Sequence, residues 1–313
     1  MLGRLEWFGR RGRGGRGVVA GRVVVVGNAS WNVILDVLRL PTDGETVVAL
    51  QRREDLGGKG LNQAVAAARA GARVGLVARI GDDAVGAQIR ACLAREGIDA
   101  RFLVVDAQPT NCSYVTVAAD GTNRIVSLHA PAAALASAAT QAIAALDPGD
   151  RVLMQGNVEH GTACAVVEAA RARAVPVTLN AASLRWPLDA VLGAVETLVV
   201  NEAEARALAA APPEAAARLL LGRGPALVLV TLGAAGVLVA TGAGVETIAA
   251  PPAAAIDTVG AGDVFCGCHA AFSVAGLDRD TGLRRAVAAA SLSVTRQGTL
   301  SAFPTSAEIA SLG

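Results

Sequence analysis

Lysine is almost missing from this sequence: Lys59 is the only one, and every other basic residue except histidine is arginine. The 28 Lys+Arg residues face 27 Asp+Glu, a net charge of +1, so no surplus of positive charge is there to hold a nucleic acid by its phosphates. Aromatic residues make up 3% of the chain, too few for a platform on which bases stack. No apolar run is long enough to span a membrane without a charge, glycine or proline interrupting it. The five cysteines (Cys92, Cys112, Cys164, Cys266, Cys268) are odd in number, scattered, and contain no CxxC pair. The three histidines do not cluster either, which excludes a disulfide framework or a zinc knuckle and reads as reduced structural thiols in a cytoplasmic protein.

Residues 1–22 are rich in arginine and glycine and lack the apolar stretch of a signal peptide, so they read as a basic, disordered tail. Gly12-Arg-Gly14-Gly15-Arg-Gly17 is formally a GxGxxG, but no strand precedes it and it counts as a chance match. The remaining chain, 23–313, is hydrophobic enough to bury a large core. Val23 to Val26 is an unbroken β-branched run ending at Gly27, the pattern of a strand covered on both faces. Helices are predicted at 61–71, 84–96, 160–173, 202–210, 213–222, 260–275 and 281–296. Strands are predicted at 73–80, 151–155, 175–180, 197–200 and 226–231, with a strand pair near 236–249. Such alternation implies an α/β fold with a mostly parallel sheet between layers of helices. Two stretches break the rhythm, about 31–55 and 102–128, and Asp120-Gly121 marks a hairpin in the second. Together they predict a small antiparallel sheet set apart from the main body.

Three glycine-rich segments lie where strands hand over to helices or turns, at the sheet edge where α/β proteins bind ligands. Gly57-Gly58-Lys59-Gly60 is followed by Asn62-Gln63, polar groups able to bond the hydroxyls of a small ligand. Thr231-Leu232-Gly233-Ala234-Ala235-Gly236 offers amides and a hydroxyl to phosphates. Gly260-Ala261-Gly262 opens a helix, and its three amides together with the helix dipole make an anion cradle. Asp263 follows at once, where a carboxylate would repel a phosphate unless its task is to take a proton from a hydroxyl. The plainer alternative is a glycine-rich cap with an acidic first turn. Asn201-Glu202-Ala203-Glu204 likewise reads either as an N-cap or as a place where Glu204 meets the water shell of a phosphate-bound Mg2+. A P-loop is excluded because Arg53 stands where its first glycine would be, and Phe265 breaks the dinucleotide fingerprint after Gly262.

Gly57-Gly58-Lys59-Gly60-Leu61-Asn62-Gln63-Ala64 and Asp257-Thr258-Val259-Gly260-Ala261-Gly262-Asp263 resemble the two signatures of the ribokinase-like (PfkB) carbohydrate kinases. Pro41 to Thr46, Gly81-Asp82-Asp83 with Gly86, Asn201-x-x-Glu204 and Thr231-Leu-Gly233-x-x-Gly236 follow in the family's order. Ribokinase itself is the nearest likeness, over Gly57 to Ala68 and Val294-Thr295-Arg296-x-Gly298. The resemblance runs from about Val23 to the C-terminus. It implies a large α/β domain with a β-sheet lid that closes over a sugar and often forms a homodimer contact. It implies Asp263 as catalytic base with Gly260, Ala261 and Gly262 as the anion hole. Asn201, Thr231, Gly233, Gly236 and Gly262 would line the ATP phosphates, and Glu204 would help to hold Mg2+ through water. Asp257, Val259, Ser293, Arg296 and Gly298 would surround a monovalent cation such as K+. Gly58, Lys59 and Asn62 match sugar contacts, beside the base Asp263.

The departures lie in the sugar site. The family's first strand continues Gly-x-x-Asn-x-Asp, whereas this chain reads Gly27-Asn28-Ala29-Ser30-Trp31-Asn32. Ser30 therefore replaces the asparagine and Asn32 the aspartate, and Asn157 stands where ribokinase places a sugar-binding glutamate. Losing two carboxylates removes charge-assisted acceptors for hydroxyls. Sites built on such bonds discriminate by roughly 10⁴-fold or more. The expectation is an ATP-dependent kinase acting on a primary hydroxyl of a small sugar, with an altered sugar site. Two rivals stand beside it: a nucleoside kinase, with Trp31 stacking on the base, and a sugar- or nucleotide-binding protein that has lost turnover.

Overall fold

Val23 and Val25 point to one side of the sheet and Val24 and Val26 to the other, and all four are fully buried. That alternation is why an unbroken valine run suits this strand: both faces are roofed by helices, so the four valines are all covered. The computed structural model describes residues 21–128 and 134–312. In chain order the elements begin with β1 (Arg22–Val26), β2 (Ser30–Val37), β3 (Gln51–Gly57), α1 (Lys59–Arg69), β4 (Arg73–Val77), β5 (Arg79–Gly81), α2 (Ala84–Arg95), β6 (Val104–Asp106), β7 (Asn111–Ala118) and β8 (Asn123–Leu128). They continue with α3 (Leu135–Ala144), β9 (Arg151–Gln155), α4 (His160–Ala172), β10 (Val177–Asn180), α5 (Asp189–Leu192) and β11 (Thr197–Asn201). The last are α6 (Glu202–Ala209), α7 (Pro213–Leu221), β12 (Leu227–Thr231), β13 (Val237–Thr241), β14 (Gly244–Ile248), α8 (Ala261–Val274), α9 (Arg279–Ser293) and α10 (Ser306–Ser311).

The main sheet has eight strands in the order β14-β13-β12-β11-β10-β9-β1-β4, parallel from β12 to β4 and closed by two antiparallel strands. One face carries α1, α2, α8 and α9 over a core that includes Leu61, Leu76, Phe265 and Leu283. The other carries α3, α4 and α7 over Ile143, Val166, Met154 and Leu220. After β1 the chain steps to β4 on one side, and later returns as β9 on the other. The crevice between the carboxyl ends of β1 and β9 is therefore the point where strand order reverses, and α/β sheets bind ligands there.

A second sheet, β3-β2-β7-β8, stands at that end. Its outer pairs are antiparallel, as predicted, but the central β2–β7 pair is parallel because the chain re-enters beside β2 in the same direction. Residues 102–105, expected in this sheet, are elsewhere: β6 pairs in parallel with β5 in a sheet of two strands. The predicted strand 73–80 breaks at Ala78 for the same reason, since β4 stays in the main sheet and β5 leaves to meet β6. The basic tail lies outside the described residues up to residue 20. Arg22, assigned to that tail from sequence, instead opens β1. Its Nε donates to the buried Asp150 at 2.7 Å and its Nη2 to Asp147 at 2.7 Å.

Candidate active site

Helices α1 and α8 run against each other because Gly267 has no side chain. A Cβ there would come within 2.5 Å of the Gln63 carbonyl and 2.7 Å of the Ala66 Cβ. The close approach sets the first turn of α1 beside the first turn of α8. Lys59 and Gly60, expected in the preceding loop, already belong to α1. Asn62 Nδ2 donates to Asp263 Oδ2 at 2.9 Å, and Gln63 Nε2 donates to Asp263 Oδ1 at 2.9 Å. Asp263 is 6% exposed, so each carboxylate oxygen is oriented by one amide while the group still borders the cleft. Asn62 and Gln63 were read as groups that bond a ligand's hydroxyls. Each gives one N–H to the carboxylate, while Asn62 Oδ1 has no partner among the described residues.

Gly260 enters α8 with φ +83, a backbone region in which only glycine is unstrained. The expected cradle of three amides is reduced to two. Ala261 N–H turns to the Thr258 carbonyl at 3.4 Å, and Asp263 N–H bonds the Gly260 carbonyl at 2.9 Å. Among the described residues, no acceptor meets the Gly260 and Gly262 amides. Gly262 also faces open space, where an added Cβ would meet nothing within 4 Å. Unpaired amides at the start of a 14-residue helix favour a negative group.

In front of them lies a cleft of about 130 Å³, walled by Lys59, Asn180, Asn201, Glu204, Thr231 and Asp263. Asn180, Asn201 and Thr231 are the last residues of the neighbouring strands β10, β11 and β12, which is why sequence-distant polar groups converge. Asn201 and Glu204 form a reciprocal capping box. The Asn201 side chain accepts the Glu204 amide at 2.8 Å, and Glu204 Oε2 accepts the Asn201 amide at 2.9 Å. The N-cap reading is what the geometry shows, and the cap fixes Glu204 at the cleft wall. Gly233 and Gly236 do not line the cleft. They shape the turn after β12, and a Cβ on Gly236 would sit 2.1 Å from the Ile248 carbonyl oxygen.

The remaining predicted sugar residues gather at the strand reversal. Asn157, just past β9, donates from Nδ2 to Asn28 Oδ1 at 2.8 Å, just past β1. Ser30 Oγ donates to Asn32 Oδ1 at 3.3 Å, and Asn32 Nδ2 occupies the space a Cβ on Gly57 would need. The Leu61 amide bonds the Asn28 carbonyl at 3.0 Å, and Gly58, at φ +92, leaves room for that carbonyl. The glycine-rich loop is thus wrapped around the first strand's exit.

Of the residues expected around a monovalent cation, three come together. Asp257 Oδ1 accepts the Val259 amide at 3.0 Å and Oδ2 accepts the Gly298 amide at 3.1 Å. The side chains of the other two turn elsewhere: Ser293 Oγ bonds the Ala290 carbonyl at 2.8 Å, and Arg296 pairs with Glu308. Sequence reasoning missed Asn28, Asp55, Asn180 and Gln155. Each is a lone polar residue at a strand end or edge, and only the folded sheet gathers them.

Residues 20–306 match the pfkB family of carbohydrate kinases. This chain belongs to that family. The kinase is 33% identical over 294 residues to a ribokinase of Bacillus subtilis, covering 93% of this chain and 98% of that protein. It is 30% identical over 291 residues to a deoxyribokinase of Salmonella typhi, covering 90% and 95%. Its fold superposes with a TM-score of 0.84 on a ribokinase of Arabidopsis thaliana complexed with ribose and ATP, at 29% identity, covering 94% of this chain and 99% of that one. Among the described residues, no helix of the kinase is long and apolar enough to cross a membrane.

Proposed function

We propose that this sugar kinase transfers the γ-phosphoryl group of ATP to a primary hydroxyl of a small sugar, with Asp263 as the base. The observation that carries the proposal is the Asp263 carboxylate, fixed by two amide donors at the mouth of a cleft that also presents the unpaired Gly260 and Gly262 amides. The sugar oxygen attacks the γ-phosphorus in line with the departing β-phosphate oxygen. As the new O–P bond forms and the old one breaks, the hydroxyl proton passes to Asp263. The glycine amides meet the charge that develops on the transferred group. Lys59, the chain's single lysine, supplies a point charge at the same wall.

Among the described residues, no group of three histidines, cysteines or carboxylates could hold a metal by itself. Glu204, held by its cap, fits a contact to Mg2+ through water, because that ion keeps much of its hydration shell when phosphates ligate it. Bound Mg2+ would neutralise phosphate charge. Asp257, the carboxylate beside the amides of Val259 and Gly298, fits a hard monovalent cation that takes oxygen ligands. Ser293 and Arg296 would contribute through their backbone carbonyls. The lid's edge strand leaves Ile125, Val126 and Leu128 exposed by 58%, 73% and 58%, which supports a homodimer contact there, tested by the oligomeric state in solution.

Asn32 and Asn157 put amides where the family uses carboxylates, and Ser30 puts a hydroxyl where it uses an amide, so the sugar is held differently from ribose in ribokinase. A panel of pentoses, deoxypentoses, hexoses and nucleosides, assayed with ATP, Mg2+ and K+, tests the assignment. Turnover of a pentose or deoxypentose is the expected result. Turnover restricted to hexoses or nucleosides would move the substrate class, and ATP binding without any turnover would favour a binding protein.

A further inference from the structure

We infer that Gln63 and Gln155 are positioning residues for Asp263: two side-chain amides in series that run from the main sheet to the carboxylate and fix its orientation. The inference rests on the reading of Asp263 as the base. A carboxylate only accepts hydrogen bonds, so Gln63 must turn its nitrogen toward Asp263 Oδ1, as it does at 2.9 Å. Its oxygen then faces the opposite way and accepts Gln155 Nε2 at 2.8 Å. Flipping either amide would set oxygen against oxygen, so one carboxylate dictates the orientation of both glutamines. Gln155 ends β9 and is fully buried, which ties the series to a strand held between β1 and β10 in the main sheet.

Neither glutamine can touch a substrate. Both are 0% exposed, and both ends of Gln63 are already bonded. Gln155 Oε1, at the far end, has no donor among the described residues. It lies over Gly27, where a Cβ would come within 1.7 Å of it. A buried oxygen without a donor destabilises the fold, and an apolar side chain of the same length would avoid that cost. Stability alone therefore does not account for glutamine at 155, whereas orienting Gln63 does. Asn62 holds the other carboxylate oxygen, so losing Gln63 leaves Asp263 pivoting on one bond.

The experiment compares Gln63→Met, Gln155→Met and the double variant, each keeping volume but losing the amide. Gln63→Met is expected to lower kcat by about 100-fold, the scale of a small misplacement of a reacting group, with KM for ATP and sugar unchanged. Gln155→Met is expected to lower kcat by about tenfold alone and to have no further effect once Gln63 is methionine. Unchanged kcat in Gln63→Met would overturn the inference, as would a Gln155→Met effect of equal size in both backgrounds. Should Gln63→Met fold too poorly to assay, Gln63→Glu keeps the shape while putting an acceptor against Asp263, and full turnover there would equally overturn it. Asp263→Asn separates the two readings. If it keeps a near-normal rate, the base assignment and the relay fall together. If it is inactive while Gln63→Met is normal, the relay alone falls.

Discussion

The Asp55 carboxylate, on β3 of the small sheet, accepts the backbone amide of Thr299 at 3.1 Å and the Ser301 hydroxyl at 3.3 Å. One residue earlier, the Gly298 amide bonds Asp257, in the loop that leads to Gly260 and Asp263. Two carboxylates, one from the small sheet and one from the loop before α8, therefore grip successive amides of the same C-terminal segment. Asp55→Ala should loosen the lid without touching the chemistry. The expected outcome is a sugar KM raised by about tenfold, as for one charge-assisted bond, with kcat little changed in steady-state kinetics.

Asp263→Asn keeps the side chain's size but removes the base and one acceptor. Turnover should fall by about 10²- to 10⁴-fold. ATP affinity, measured by calorimetry, should persist because Asn201, Thr231 and the Gly260 and Gly262 amides are untouched.

His269, 5% exposed on α8, is held neutral, with its pKa pushed down to about 3 by burial. Its folded pKa lies below its unfolded value, so protonation favours unfolding. Its stabilising effect is complete above the unfolded pKa of 6.5 and fades as pH falls toward 3. Lowering pH from 7 to 5 should cost the wild type about 2 kcal/mol through this group. The hydrogen-bonded Glu45 and Glu308, each lowered to about 2, lose their contributions only below the ordinary glutamate range, outside that window. Denaturant unfolding at the two pH values should show a smaller loss for His269→Phe than for the wild type.

The five thiols should divide by burial. Cys92, Cys266 and Cys268 are buried, and burial pushes Cys266 and Cys268 up to about 12. Cys112 and Cys164 are half-buried. A thiol reagent at neutral pH should modify two groups in the native protein and the other three only on unfolding.

Much of the fold was legible because local physics imposed it. A valine run in β1 has to be buried on both faces, and the spacing of strands and helices left little besides a parallel sheet. The break at Ala78 was not legible, because Val74 to Ala78 runs on into Arg79-Ile80 with no proline or turn residue pair to mark a stop, and only the partner strand, β6, decides where the chain changes sheets. The candidate base was visible too, since a carboxylate directly after Gly260-Ala261-Gly262 is hard to explain otherwise. The roles of Asn62 and Gln63 were read toward a ligand, and no local pattern could have shown that their partner lies 200 residues away.

The sequence alone determined the α/β class, the family signatures and the candidate for the proton-accepting group. Each of these depends on residues adjacent in the chain, where spacing fixes geometry. Tertiary structure alone decided what holds that group still. Asn62, Gln63 and Gln155 meet Asp263 only because Gly267 lets two helices approach and because β9 lies beside β1. It also turned one of three expected amides inward and brought Asn28 to Asn157 at the strand reversal. Those contacts follow from which surfaces pack together, and packing is settled by the whole core.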